Sequence, residues 1–82
     1  MNQESVKADV LRFFEESLSI DRAIEPGTSL FESQLLDSLS LSELVIFLEE
    51  HFAISVRPAD FTPHHFDTLD RITEFVLRRC HE

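Results

Sequence analysis

The hydroxyl of Ser38 lies at the predicted start of a helix, a position that suits a covalently attached group. Ser38 follows Asp37, a residue type that caps helices, and it begins a run with the apolar spacing of a helix. Unpaired backbone N–H groups and the positive end of the helix dipole gather at such a start, so a phosphate esterified to this hydroxyl is favoured there. A phosphate on the Ser38 hydroxyl would therefore be favourably placed, although the tripeptide Asp37-Ser38-Leu39 alone is also typical of a simple helix cap.

Two other roles for Ser38 follow from the same position. A catalytic serine needs a base within hydrogen-bond reach, and the nearest histidine in sequence, His51, lies thirteen residues further along the same predicted helix. At about 1.5 Å per residue that is roughly 20 Å. His64 and His65 lie further along the chain, and the glycines of a nucleophile elbow are absent around Ser38, so a serine hydrolase is disfavoured. The remaining role is structural, with Ser38 only helping to cap its helix.

The helix that begins near Asp37 or Ser38 is the clearest element in the sequence. Its apolar residues fall at i, i+3, i+4, i+7 and i+11, which makes one stripe of about three turns. These residues are Leu41, Leu44, Val45, Leu48 and Phe52. Ser40 and Glu43 also have capping-box spacing, so the sequence leaves the first residue open by one or two positions.

Helical patterns also lie on either side of this segment. Residues 4–18 have one apolar face, and Asp67 or Thr68 opens a last helix with its own apolar face. The side chains expected to point inward are Val6, Val10, Phe13, Phe14 and Leu18 in the first helix and Leu69, Ile72, Phe75 and Val76 in the last. Pro58 and Pro63 bracket a segment with room for only a short helical piece.

A long irregular connection joins the first two helices. Pro26-Gly27 is a turn signal, and Thr28 and Ser29 are placed to cap a short turn. No segment alternates convincingly between apolar and polar residues at period two. The sequence therefore predicts an all-α fold of three main helices plus one short helix, in a single domain over residues 1–82.

The charge of the chain restricts its partners. Sixteen acidic residues oppose seven basic ones, for a formal net charge of −9, and no Lys or Arg lies between Arg22 and Arg57. Such a field repels nucleic acid and anionic lipid and attracts basic protein surfaces. The single Cys80 excludes an internal disulfide, and no signal peptide or bilayer-length apolar run is apparent. We therefore expect a soluble, cytoplasmic protein.

The run from Leu35 to Ile54 closely resembles the core of acyl carrier proteins. It contains Leu-Leu-Asp-Ser-Leu, then a helix with Glu-Leu-Val and Leu-Glu-Glu before a Phe and an Ile. The resemblance implies that a separate transferase attaches 4′-phosphopantetheine to Ser38, with Asp37 and Leu39 beside the attachment point. It also implies that the terminal thiol of this arm carries a cargo as a thioester. The protein is then a carrier and not an enzyme.

Three departures from fatty-acid carriers bear on the cargo. Leu35-Leu36 stands where many of them have a Gly, Ser40 where an acid is common, and Ala53 where a Gly is frequent. The Leu-Leu-Asp-Ser form looks more like D-alanyl carrier proteins and other free-standing carriers of specialised pathways. Fatty acyl, D-alanyl and other aminoacyl cargoes all remain open.

One face of the central helix is a candidate docking surface. Leu39, Glu43, Ile46 and Glu50 lie three or four residues apart and away from the buried stripe. The family resemblance places partner contacts at these four positions and at Glu49. The implied partners are a phosphopantetheinyl transferase and an acyl- or aminoacyl-loading ligase or synthase with a basic docking surface, acting on a monomer. Two alternatives are that a neighbouring loop buries Ile46, and that the chain is an unmodified acidic adaptor for a basic protein.

The remaining aromatic and histidine residues have simpler expected roles. The adjacent pair His64-His65 lacks the spacing of a zinc site, so no metal is expected. Five rings are expected in the core: Phe13, Phe52, Phe61, Phe66 and Phe75. Phe47 is a candidate gate or filler of a space for an acyl chain, and the sequence does not choose between these two roles.

Overall fold

Helices and loops make up all of the chain that the structure describes. The computed structural model describes residues 2–20 and 23–80. Those residues form α1 (Gln3–Glu16), α2 (Ser38–Phe52), α3 (Pro63–Phe66) and α4 (Leu69–Cys80), with a turn of 3₁₀ helix at Pro58–Asp60. The expected all-α fold of three main helices and one short helix is confirmed.

The first helix, α1, is shorter than the predicted range of residues 4–18. It begins with a capping box, in which the side chain of Asn2 accepts the Ser5 N–H at 2.9 Å. Ser19 has φ 55, in the left-handed region, and this turns the chain away from the helix axis. Leu18 therefore lies beyond the helix, half-buried against the core.

The loop between α1 and α2 is fixed to the junction between α3 and α4. The Ser29 hydroxyl donates to the Asp67 carboxylate at 2.7 Å, and the Leu30 N–H donates to the Asp67 carbonyl at 2.6 Å. Ser29 also accepts the Glu32 N–H at 3.2 Å, so its predicted role as a turn cap is confirmed. Leu30 is fully buried, which ties this part of the loop to the core.

The core lies where α4 packs against α1, α2 and α3. Every inward position predicted for α2 and α4 is buried, as are the four predicted within α1. The most deeply buried large side chains include Phe14, Leu44, Leu48, Phe66 and Ile72. Among the described residues, no helix is long and apolar enough to span a bilayer.

Phe61 was expected in the core, and this prediction is wrong. Its side chain is 41% exposed, while the preceding residue, Asp60, is buried. Asp60 is drawn inward by Arg79 of α4, whose guanidinium lies 2.6 Å from its carboxylate and 5.0 Å from the centre of the Phe75 ring. Because Asp60 takes the inward place at the end of the 3₁₀ turn, Phe61 is directed outward.

Candidate functional site

Asp37 is the residue that caps α2. Its backbone is extended, its carboxylate accepts the Ser40 N–H at 2.8 Å, and its carbonyl accepts the Leu41 N–H at 2.8 Å. The hydrogen bond from the Ser40 backbone lowers the pKa of Asp37 below its ordinary value of 3.8. The capping role considered for Ser38 therefore belongs to its neighbour, and Ser40 lies inside the helix.

Ser38 is the first residue of α2, and its side chain is exposed. Two buried leucines hold it in place: Leu36, two residues earlier, and Leu41, three residues later. The Leu36 N–H also donates to the Leu30 carbonyl at 3.0 Å, which fixes the loop just before the helix. The Ser38 side chain is thus exposed to solvent at a helix N-terminus whose flanking leucines are buried, a position that suits a phosphodiester link.

The three histidines in the described part of the chain contact other residues. The His51 ring lies 3.1 Å from the Asp9 carboxylate, and His64 contacts the Arg71 guanidinium at 3.0 Å. His65 packs its ring 5.3 Å from that of Phe75. These contacts give Ser38 no oriented base. Within residues 2–20 and 23–80, no group of three or more His, Cys, Asp or Glu side chains is arranged to hold a metal ion.

The outer face of α2 combines exposed apolar and acidic side chains. Leu39 is 72% exposed and Ile46 is 55% exposed, so a neighbouring loop does not bury Ile46. Glu43 and Glu50 are exposed on the same helix. Glu49 differs, because it is half-buried and its carboxylate accepts the Val56 N–H at 3.0 Å. This bond links α2 to the chain that follows it, and no motif in the sequence signals it.

Phe47 belongs to α2, and its ring is directed toward α1. Its ring stacks on Phe13 at 4.6 Å and on His51 at 4.9 Å. A surface cleft of about 120 Å³ opens beside this stack, lined also by charged residues of α1. The Phe47 ring therefore packs between Phe13 of α1 and His51 of α2 at the edge of this cleft.

The comparisons with known proteins agree on one family. The family described as "phosphopantetheine attachment site" matches residues 8–76. A D-alanyl carrier protein of Streptococcus mutans is 32% identical over 71 residues, covering 87% of this chain and 90% of the relative. A D-alanyl carrier protein of Streptococcus suis is 30% identical over 76 residues, covering 93% and 96%. A lincomycin biosynthesis protein of Streptomyces lincolnensis is 38% identical over 77 residues, covering 83% of this chain and 28% of the relative.

Proposed function

Because this chain belongs to the phosphopantetheine-attachment family, we propose that Ser38 is the serine that bears 4′-phosphopantetheine. Proteins of this family carry that group covalently on a serine and are carriers, not enzymes. One observation carries the assignment: Ser38 is exposed at the first position of α2, while Asp37 caps the helix. Since Asp37 serves as the cap, the Ser38 hydroxyl is accessible for modification.

The residues around Ser38 present the attached group and its cargo. When attached, the arm supplies a terminal thiol that holds the cargo as a thioester. Leu36 and Leu41 are buried in the core, which anchors the start of the helix that bears the attachment oxygen. The unpaired N–H groups of the first turn favour the negative phosphodiester there.

The outer face of α2 is our proposed docking surface for partner enzymes. Carriers of this family interact with phosphopantetheinyl transferases and with ligases or synthases. The face presents Leu39 and Ile46 for apolar contact, with Glu43 and Glu50 beside them. A basic surface with an apolar centre complements it, and the net charge of −9 speeds association with such a surface. We propose that the chain acts in the cytoplasm as a monomeric carrier, with residues 1–82 as one domain.

For the cargo, we propose an aminoacyl group, with D-alanine as the first candidate. The support is the likeness to D-alanyl carrier proteins, which extends over most of this chain and of each relative. The Leu35-Leu36 pair before Asp37 supports the same choice. The part of the lincomycin biosynthesis protein that matches shows that similar sequence also occurs within a much longer protein.

Attachment is tested by intact-mass spectrometry. The apo-protein is incubated with coenzyme A and a broad-specificity phosphopantetheinyl transferase, beside Ser38→Ala and the matched control Ser42→Ala. We expect the wild type and Ser42→Ala to gain one phosphopantetheine and Ser38→Ala to gain none. A gain that persists in Ser38→Ala contradicts the assignment. No gain in a folded wild-type sample favours the unmodified adaptor.

The cargo is tested on the loaded protein from that experiment. It is incubated with ATP and, in separate reactions, with ligases that activate D-alanine, L-amino acids or fatty acids. A mass increase of one alanyl group with the D-alanine ligase, reversed by hydroxylamine, supports the proposal. Transfer of only a fatty acyl group contradicts it, and the attachment result stands in either case.

A further inference from the structure

Three consecutive residues of the loop before α2 bond to Asp67, which lies between α3 and α4. The Asp67 carboxylate accepts the Ser29 hydroxyl at 2.7 Å and, with the same oxygen, the Phe31 N–H at 3.3 Å. The Asp67 carbonyl accepts the Leu30 N–H at 2.6 Å. Since these partners lie 36 to 38 residues earlier in the chain, Asp67 joins two distant segments.

The junction that holds Asp67 is itself anchored in the core. Phe66 ends α3, Leu69 begins α4, and both side chains are buried. In the first turn of α4, the Asp70 N–H donates to the Pro26 carbonyl at 3.1 Å, which ties a further point of the loop to the same junction. The junction is therefore placed to restrain the loop.

The restraint continues along the loop toward the attachment site. The Leu30 carbonyl accepts the Leu35 N–H at 2.9 Å and the Leu36 N–H at 3.0 Å. Leu36 is buried and stands two residues before Ser38. A connected set of hydrogen bonds thus runs from Asp67 through Leu30 to the last turn of chain before α2.

The turn closed by these bonds contains an unfavourable backbone conformation. Gln34 has φ 64, which is uncommon for a residue other than glycine and persists only where surrounding contacts hold it. The Gln34 side chain is exposed, but its N–H donates to the Phe31 carbonyl at 3.1 Å. Because Phe31 in turn donates to Asp67, loss of the Asp67 carboxylate should allow this turn to relax.

We infer that Asp67 is a positioning residue for the modification of Ser38. By holding residues 29–31, it sets the direction in which the loop enters α2, and with it the place of the Ser38 oxygen. This inference rests on the proposed attachment of phosphopantetheine at Ser38. A reacting atom displaced by about 1 Å can lower the rate of a reaction by up to about a hundredfold. The outer face of α2 does not include the loop, so we expect the effect on the transfer rate and not on docking.

Single-turnover kinetics separate these two effects. With the transferase in excess over the apo-carrier, phosphopantetheine transfer from coenzyme A gives a maximal rate constant for the transfer and a half-saturating transferase concentration that reports on docking. We expect the maximal rate constant of Asp67→Ala to fall by about five- to tenfold, and its half-saturating concentration to stay within about twofold of the wild type.

Asp67→Asn is the conservative variant. Its amide oxygen still accepts hydrogen bonds from the Ser29 hydroxyl and the Phe31 N–H, although the charge is lost. We therefore expect its maximal rate constant to lie within about twofold of the wild type. A loss equal to that of Asp67→Ala would contradict a role for these hydrogen bonds.

Thr68→Ala is the matched control at the same junction. The Thr68 hydroxyl accepts the Arg71 N–H at 3.1 Å, so the substitution removes a hydrogen bond at the start of α4 and leaves those to the loop in place. We expect Thr68→Ala to lower the melting temperature, as Asp67→Ala does, and to leave the maximal rate constant within about twofold of the wild type. All rates are measured at a temperature at which every variant is folded.

Amide hydrogen exchange follows the restraint itself. We expect the Leu35 and Leu36 amides to exchange about fivefold or more faster in Asp67→Ala, and at the rate of the wild type in Asp67→Asn. The Leu48 amide, in the middle of α2, measures any loss of global stability. The increase at Leu35 and Leu36 should exceed the increase at Leu48.

Three results overturn the inference while the proposed attachment stands. They are an unchanged maximal rate constant in Asp67→Ala, an equal fall in Thr68→Ala, and a change confined to the half-saturating concentration. If Asp67→Ala does not fold, Ser29→Ala replaces it, since it removes one of the three bonds. An unchanged rate constant in Ser29→Ala then overturns the inference, and a fall of about two- to threefold supports it. If the folded wild type gains no phosphopantetheine, the proposed attachment fails, and the inference fails with it.

Discussion

At the start of α2, two adjacent side chains have opposite orientations and different roles. The Asp37 carboxylate turns back to the Ser40 N–H, while Ser38 is directed to solvent from the first helical position. An acidic side chain at this end also interacts favourably with the helix dipole. The cap of α2 therefore does not depend on the Ser38 hydroxyl.

The lowered pKa of Asp37 predicts a loss of stability in acid. Since its folded pKa lies below the unfolded value of 3.8, the stabilisation is complete above about pH 3.8 and is lost as the pH falls through the folded pKa. Asparagine caps helices about as well as aspartate but does not titrate. We therefore expect the melting temperature of Asp37→Asn to fall less between pH 5 and pH 2 than that of the wild type, as thermal melts at the two pH values will measure.

The titration of Asp60 also changes the stability of the protein in this pH range. The experiment therefore needs an Asp60 variant as a separate control. The Arg57 backbone N–H and then the charges of Arg79 and Arg57 hold the pKa of Asp60 below 3.8. Its stabilisation is thus also lost as the pH falls through its folded pKa. Thermal melts of the wild type, Asp37→Asn and Asp60→Asn at several pH values separate the contribution of Asp37 from that of Asp60. Equal acid losses in all three proteins would contradict both assignments.

At the scale of elements, the ion pair between Asp60 and Arg79 joins the 3₁₀ turn to the last turns of α4. Both side chains are only 12% exposed, whereas Arg57, 3.8 Å from the same carboxylate, is 66% exposed. Removing one partner of a buried pair leaves an uncompensated charge, while an exposed pair contributes little.

We therefore expect Arg79→Ala to lower the melting temperature by about 5 °C or more and Arg57→Ala by only about 1–2 °C. Circular dichroism melts at pH 7 check this difference. Equal effects of the two substitutions would show that the ion pair with Arg79 does not hold the turn.

The main helices can be predicted from local sequence patterns, whereas the contacts between the helices and loops cannot. The spacing of Leu41, Leu44 and Leu48 predicts α2 because a 3.6-residue period puts them on one face. The bonds of Asp67 to Ser29 and of Glu49 to Val56 depend on how the chain turns, which no periodicity records.

The same limit explains the error at Phe61. Hydrophobicity alone places a phenylalanine inside, but a buried ion pair occupies the inward position beside it. At the site, the sequence indicates Ser38 because its neighbours resemble a known motif. Which of Asp37, Ser38 and Ser40 caps the helix required the three-dimensional structure.

For the whole molecule, the core is small and each of its large side chains contributes a substantial share of stability. Leu48 is fully buried, whereas Leu39 of the same helix is 72% exposed. We expect Leu48→Ala to lower the free energy of unfolding by about 2–5 kcal/mol, and Leu39→Ala to change it by less than about 0.5 kcal/mol. Urea unfolding measures both. A large loss for Leu39→Ala would mean that this side chain supports the fold and is not free for docking.

The surplus of negative charge predicts that salt stabilises the protein. With a net charge of −9 on 82 residues, exposed carboxylates such as Glu43 and Glu50 repel one another in the folded state more than in the expanded unfolded chain. At about 0.15 M salt the Debye length falls to about 8 Å, which screens most of this repulsion. We expect the melting temperature to rise from low to moderate ionic strength, and to rise further with millimolar Mg²⁺ or Ca²⁺.

The double variant Glu43→Gln/Glu50→Gln is the control for this surface repulsion. It should have a higher melting temperature than the wild type in low salt, and its melting temperature should increase less when salt is added. A wild-type melting temperature that does not change with ionic strength would contradict this account of the surface.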